Sequence, residues 1–374
     1  MNPRKNKTIP IQDYYEELKM FIIRNKKKVI EPYWNDIRQI NEIVTKKNIT
    51  ICLATKPVQY INLKAIEYNR ESYKVLCLTT VFYNPDGFVR AIKEYDKNIW
   101  DKICIFKQVR DVYYFLGRIK HIDDLYVDSD CGASISSLFR ALFKKGTNIS
   151  LYEEGISMYF NGEKKHFSSW HPKLRKIPWV IDMLFNIRKI ILNSLGSGTW
   201  YGLSKWTNSV YCYFPNHPFL VPKQKKIYKF TKSPIQNFAD NAYLFEIDAN
   251  LPWINTLHHK SILMILTSWD EKVISKKNDV EIYDIIIVKH HPHINKSESK
   301  SVFPDNYYDI YGPICCECLA SKLLELNNKV TIRTESSSGL MYLKDSNVNI
   351  DLLSNDDNED IKNIVKYADY DKAP

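Results

Sequence analysis

What most restricts the fold of this chain is an alternation that occurs twice. Between residues 48 and 152, short apolar runs rich in β-branched residues ("NITICLAT", "YKVLCLTTVF", "KICIF", "IDDLYV", "NISLY") alternate with stretches of helical periodicity. The alternation returns with "SILMILTSW", "YDIIIVKHHPH", "YYDIY", a helical run over 315–326, and "KVTIRTESSSGLMYL". Short buried strands separated by helices of about ten residues imply βαβ units and parallel sheets. The expectation is an α/β protein with two Rossmann-like halves. Neither half carries G-x-G-x-x-G or a Walker loop, which argues against a conventional dinucleotide site or P-loop.

The chain has 374 residues, 44% of them hydrophobic, enough to bury a sizeable core and to divide into two domains. Charged residues make up 26% with both signs mixed, which excludes disorder over the whole length. The expected layout begins with an N-terminal helical segment (1–47). A first Rossmann-like domain follows (48–255), with a basic insertion at about 162–234, then a second such domain (256–350). An acidic helix or tail (351–374) with Asp356, Asp357, Glu359 and Asp360 closes the chain. Lys and Arg number 53 against 43 Asp and Glu, a net +10. That surplus favours an anionic partner: nucleic acid, an anionic membrane face or an anionic substrate. It is densest in the insertion, at Lys164, Lys165, Lys173, Arg175, Lys176, Lys223, Lys225, Lys226, Lys229 and Lys232.

Most of the eight cysteines sit inside apolar runs, where Cys acts as a small hydrophobe. "CCEC" (315–318) lacks the C-x₂-C pairs that structural zinc favours and reads as part of a helix, which fits a reducing cytoplasm. The first residues lack the apolar core of a signal peptide, and no apolar run is long enough to span a bilayer. A cytoplasmic protein is expected. "KLRKIPWVIDMLFNIRKIILNSLG" (173–196) admits two readings. It is either a basic amphipathic helix lying on an anionic membrane surface or an ordinary domain helix with a solvated basic face.

In open parallel sheets, ligands collect beyond the carboxyl ends of the strands. Three strand ends here carry chemically capable residues. "SLYEEG" places Glu153 and Glu154 before Gly155, at the tip of an apolar strand in a basic chain. In "IIIVKHHPH", Pro292 restricts His291 to an extended conformation and so aims it. A metal site from His290, His291 and His293 is disfavoured, because neighbouring strand residues point to opposite faces. In "TESSSGL", serines and a glycine stand where a strand turns into a helix. That arrangement serves as an anion site or as a plain N-cap.

The order acidic pair–Gly, then His–Pro, then Ser–Ser resembles the bacterial sialyltransferases with a GT-B fold, whose motifs are D/E-D/E-G, HP and S-S/T. Here these are Glu153-Glu154-Gly155, His291-Pro292 and Ser336-Ser337. The sequence is most similar to the capsule polysialyltransferases, over roughly residues 48–345. The resemblance implies a GT-B fold, two Rossmann-like domains facing each other across a cleft. It also implies inverting transfer of sialic acid from CMP-sialic acid to a growing polysialic acid chain. Glu153 would be the general base, His291 would stabilise or protonate the departing phosphate, and Ser336 and Ser337 would hold that phosphate. Gly155 would let the chain turn beside the substrate, and Glu317 would accept from the ribose hydroxyls. Glu154 receives no firm role.

No cofactor or metal is expected, because His and backbone donors meet the charge of the leaving group. The basic region would hold a polyanionic, lipid-linked polysialic acid acceptor, with Lys164, Lys165, Lys173, Arg175, Lys176, Lys223, Lys225 and Lys226 as its groove. A place on the inner face of the bacterial inner membrane, beside capsule-assembly proteins, goes with that reading. Two alternatives stay open. One is a transferase adding a single sialic acid to lipooligosaccharide. The other, from a different class, is a basic nucleic-acid-binding module, suggested by aromatics among lysines in "KKIYKF". That module would leave the three strand ends unexplained, and no nucleic-acid partner is expected on the leading reading.

Overall fold

The computed structural model describes residues 42–43, 45–82, 85–160, 167, 177–267, 280–291, 306–334, 337, 339–344, 348–352 and 358–368. Residues 1–41, expected to be helical, lie outside them.

The first half runs β1 (Ile49–Ala54), α1 (Pro57–Lys64), β2 (Tyr73–Thr79), α2 (Asp86–Tyr95), β3 (Lys102–Phe106), α3 (Val109–Arg118), β4 (Asp124–Val127), α4 (Ala133–Phe143) and β5 (Asn148–Tyr152). It continues through α5 (Pro178–Ser194), β6 (Ser209–Cys212), β7 (Lys226–Lys229), α6 (Pro234–Asp240) and α7 (Ile247–Asn250). The second half runs β8 (Ser261–Leu266), β9 (Ile285–Lys289), β10 (Tyr307–Ile310), α8 (Cys316–Glu325), β11 (Lys329–Thr334), α9 (Gly339–Tyr342), β12 (Val348–Leu352) and α10 (Asn358–Tyr367).

The strands form two parallel sheets, ordered β3-β2-β1-β4-β5-β6-β7 and β10-β9-β8-β11-β12. In each, the chain walks outward from its first strand, then crosses back to build the other side. This is the doubly wound Rossmann order, so the molecule is α/β with two Rossmann-like halves, as expected for GT-B. Its switch points lie between β1 and β4 and between β8 and β11, where such sheets hold ligands.

The strands form where the sequence is apolar without interruption, because helices cover both faces of a parallel sheet. All six residues of β1 are buried, as are five of the six in β8. The helices bury one stripe each: Phe88, Ala91 and Ile92 in α2, and Val112, Phe115 and Leu116 in α3. Pro57, Pro178 and Pro234 open α1, α5 and α6, where the missing N–H would have had no helical partner anyway.

The region read as an insertion, about 162–234, contains sheet as well as helix. Strands β6 and β7 pair in parallel with β5 and with each other, extending the first sheet. They have four residues each, and β7 ("KIYK") is an edge, where lysines deter unwanted pairing. That is why no unbroken apolar run announced them.

The halves pack on each other through α6 and α8. Cys318 Sγ donates to the Phe238 carbonyl at 3.3 Å. Tyr342 of α9 sets its ring 5.4 Å from Tyr213 and 5.5 Å from Phe238, centroid to centroid. Helix α10, in the stretch expected to be an acidic helix or tail, returns to the first half. There the Ile364 carbonyl lies 2.8 Å from His217 Nε2. No cysteine is in a disulfide, and "CCEC" opens α8 as a helix.

Candidate active site

The acidic motif sits where β5 ends. Glu153 is pinned by its backbone: its N–H donates to the Tyr211 carbonyl at 2.8 Å, and its carbonyl accepts from Asn62 Nδ2 at 2.8 Å. Alternation then turns its side chain into the protein, where it is fully buried. Oε2 accepts from the Tyr159 hydroxyl at 2.6 Å and from the Tyr213 N–H at 2.8 Å. Gly155 makes the first of these bonds attainable. Its φ of 143° is a conformation that side chains resist, and it starts the short turn Ile156–Met158 that brings Tyr159 back over the motif.

Burial raises the Glu153 carboxyl to about 7, against the pull of Tyr159, the Tyr213 N–H and Tyr342. The Tyr342 hydroxyl, contributed by the second half, lies close enough to act on Glu153. Yet neither it nor Glu153 Oε1 makes a hydrogen bond of normal geometry.

Glu154 diverges from its neighbour. It is half-buried, pairs with Lys56 Nζ at 2.6 Å and faces Asp128, at the end of the adjacent β4. Asp128 accepts from Thr55 Oγ1 at 2.9 Å and from Gln59 Nε2 at 2.8 Å. Burial, helped by repulsion from Glu154, pushes the Asp128 carboxyl up to about 6. The ends of β1, β4 and β5 thus form one acidic cluster beside the switch point. Asp130 is buried nearby and fully engaged, accepting from the N–H groups of Gly202 and Ser204 and from Thr207 Oγ1.

The second half answers with different chemistry. Lys289 ends β9 with its ammonium buried, donating to the carbonyls of His290 and Gly312. Burial lowers it to about 8, with Cys316, Cys315 and Glu317 working the other way. His290 is buried too, with Nε2 2.6 Å from Asp309 Oδ1 and its ring 4.1 Å from that of Tyr311, stacked. His291 is only half-buried at the strand tip, and its N–H donates to Thr267 Oγ1 at 3.2 Å, tying the end of β9 to that of β8.

Glu317, in the first turn of α8, is buried, and that burial holds its carboxyl above the usual range. The structure brings it together with Ser337. A Cβ added at Gly339 would stand 2.8 Å from Cys316 Sγ, 3.2 Å from Glu317 Oε1 and 3.3 Å from Ser337 Oγ. The Gly339 N–H donates to Ser337 Oγ at 3.2 Å. Only glycine fits without displacing these groups.

Pro292, His293, Ser336, Lys164, Lys165, Lys173, Arg175 and Lys176 lie outside the described residues. Lys225 is an internal tie, donating to the Ser204 carbonyl at 2.6 Å and the Thr207 carbonyl at 2.8 Å. Lys223 and Lys226 are exposed. The Tyr228 ring, a candidate stacking platform, is already engaged by Tyr211 at 4.8 Å and by Lys226 Nζ at 4.8 Å. Among the described residues, no group of three or more His, Cys, Asp or Glu is arranged to hold a metal.

Five further residues belong to this constellation: Lys56, Asp128, Tyr159, Lys289 and Tyr342. Asp128 had a signal, an acid directly after the apolar run "DLYV", the same pattern that marks Glu153. Lys289 closes "IIIVK" in the same way. Nothing local marks the two tyrosines, which act through long-range packing.

No protein-family model matches the sequence, and no curated protein sequence matches it. Among solved structures, the chain is similar to the wall teichoic acid polymerase TagF, at 12% identity and a TM-score of 0.45, over 94% of this chain and 81% of that one. It is also similar to the glycosyltransferase of kitacinnamycin, at 10% identity and 0.43, over 86% and 85%. A third is a glycosyltransferase from Rickettsia africae, at 11% identity and 0.40, over 86% and 88%. Two of these three neighbours are named as glycosyltransferases and one as a polymerase, but at such scores the likeness carries no argument. The fold assignment rests on the two parallel sheets themselves.

Proposed function

We propose that this chain is an inverting glycosyltransferase that moves sialic acid from CMP-sialic acid to the non-reducing end of a growing polysialic acid chain. One observation carries the reading. A buried acid with its carboxyl raised to about 7 ends β5 against Tyr342 of α9, the helix that directly follows Ser336-Ser337. A base of that strength is matched to neutral pH.

In this scheme Glu153 takes the proton of the acceptor hydroxyl as its oxygen bonds to the anomeric carbon of the donor. The bond from that carbon to the phosphate oxygen breaks, and its electron pair leaves with CMP. His291 and the hydroxyls of Ser336 and Ser337 hold the departing phosphate, and Glu317 accepts from the ribose. Charge on the leaving group is met by these donors, so the scheme needs no metal. Glu153 is fully buried, so in this scheme the acceptor hydroxyl reaches it only when the groups packed around it, Tyr342 of the second half among them, move aside. Separation of the halves is therefore part of the cycle. The exposed Lys223 and Lys226 are available to a polyanionic, lipid-linked acceptor.

The test is release of CMP from CMP-sialic acid by purified protein, with and without an oligosialic acid acceptor. Acceptor-dependent release with lengthening products is expected. A single addition would move the protein to the mono-sialyltransferases, and no acceptor-dependent release would overturn the assignment.

A further inference from the structure

Helix α5 carries an apolar face that nothing in the described chain covers. Its inner side is satisfied by burial of Ile181, Phe185 and Leu192. On the outside, Trp179 is 68% exposed, Met183 and Ile187 46%, Ile190 69% and Ile191 53%. At 3.6 residues per turn these five side chains fall within an arc of about 120°. That is one continuous stripe rather than scattered surface hydrophobes. Trp206 ties the end of α4, where Phe143 is partly exposed, to the end of α5. The Trp206 ring lies 5.7 Å from Phe143, and its Nε1 donates to Ser136 Oγ and to the Leu195 carbonyl.

The charge around this face is one-sided. Residues 133–145 and 177–207 contain six basic residues, Arg140, Lys144, Lys145, Arg188, Lys189 and Lys205, and a single acid, Asp182. We propose that α5 is an interfacial anchor that lies in the plane of an anionic lipid surface. Its stripe enters the headgroup boundary with Trp179 at the interface, and the exposed Arg140, Lys144, Lys145, Lys189 and Lys205 meet the lipid phosphates, while Arg188 lies over the Phe167 ring. The helix cannot cross a bilayer. Its 17 residues span about 25 Å, three of them are charged, and one side is packed on the protein. Two other covers for this face are disfavoured by charge. Residues 1–40 carry nine Lys and Arg against five Asp and Glu, and a second copy would set one basic rim against another. The inference is independent of the reaction proposed above.

The test is flotation of the full chain with phosphatidylglycerol-rich vesicles and with phosphatidylcholine vesicles, beside the double variant Trp179→Ser/Ile190→Ser and the single variant Lys189→Glu. The wild type should float with the anionic vesicles alone, and less so at high salt. The double variant should bind at least about tenfold more weakly with an unchanged melting temperature, and Lys189→Glu should fall between. Failure of the wild type to float, or equal flotation of the double variant, would overturn the proposal. A dimer that the double variant dissociates would assign the face to a second copy instead. A melting temperature lowered by several degrees in that variant would assign it to the chain's own residues, and either result also overturns the lipid reading.

Discussion

The two halves follow the same path, three strands outward and then back across the first, yet they end their strands in opposite chemistry. Strands β4 and β5 end in Asp128 and in Glu153 and Glu154, with Lys56 paired to one of the three. Strand β9 ends in Lys289, His290 and His291, and β11 leads to the Ser337–Gly339 turn beside Glu317. Topology places the strand ends where ligands bind in such sheets, and on the proposed reading residue choice decides which half accepts a proton and which receives an anion. Burial acts on both sides in the same sense, toward the neutral form. It lifts Glu153 to about 7 and drops Lys289 to about 8, so each is poised within reach of neutral pH.

The sharpest way to break this contrast is through the stability of the acidic half. Glu153 sits at about 7 when folded, against an ordinary 4.5. Between those values the folded chain holds the extra proton. The contribution of Glu153 to stability therefore falls as pH rises from about 4.5 to about 7 and is level above that. Glu153→Gln removes the ionisation and should be more stable than wild type at about pH 8, by on the order of 3 kcal/mol, with the gain gone near pH 4.5. Urea unfolding at the two pH values measures it, and an unchanged difference would mean the carboxyl is not strained by burial.

On the basic side, His291→Ala should lower kcat/KM by about a hundredfold through lost stabilisation of the leaving phosphate, and wild-type kinetics would remove it from that place. Gly339→Ala should weaken CMP binding about tenfold by displacing Cys316 and Glu317, and titration calorimetry reads it directly. Lys56→Ala should change stability by no more than about 1 kcal/mol, since its ion pair with Glu154 is solvent-screened. A larger loss in a denaturation curve would make the pair structural.

The strands that bury both faces were legible as unbroken apolar runs, and they placed all three motifs at strand ends. The divergence of Glu153 from Glu154 follows from strand geometry, in which neighbouring side chains point to opposite faces. Strands β6 and β7 were not legible: short edge strands need no apolar run, and their lysines read as insertion. Lys225 shows the same limit, since charge density cannot tell a solvated ammonium from one held by two carbonyls. The roles of Tyr159 and Tyr342 depend on contacts between distant segments, for which no local pattern exists.

The central claim, that the acidic half supplies the base and the other half binds the nucleotide, is tested most directly by one paired measurement on Glu153→Gln. CMP affinity and acceptor-dependent transfer should be measured on the same preparation. The account requires transfer to fall by at least about a hundredfold with the CMP dissociation constant unchanged. Transfer that survives, or CMP binding that is lost along with it, would contradict the division of labour between the halves.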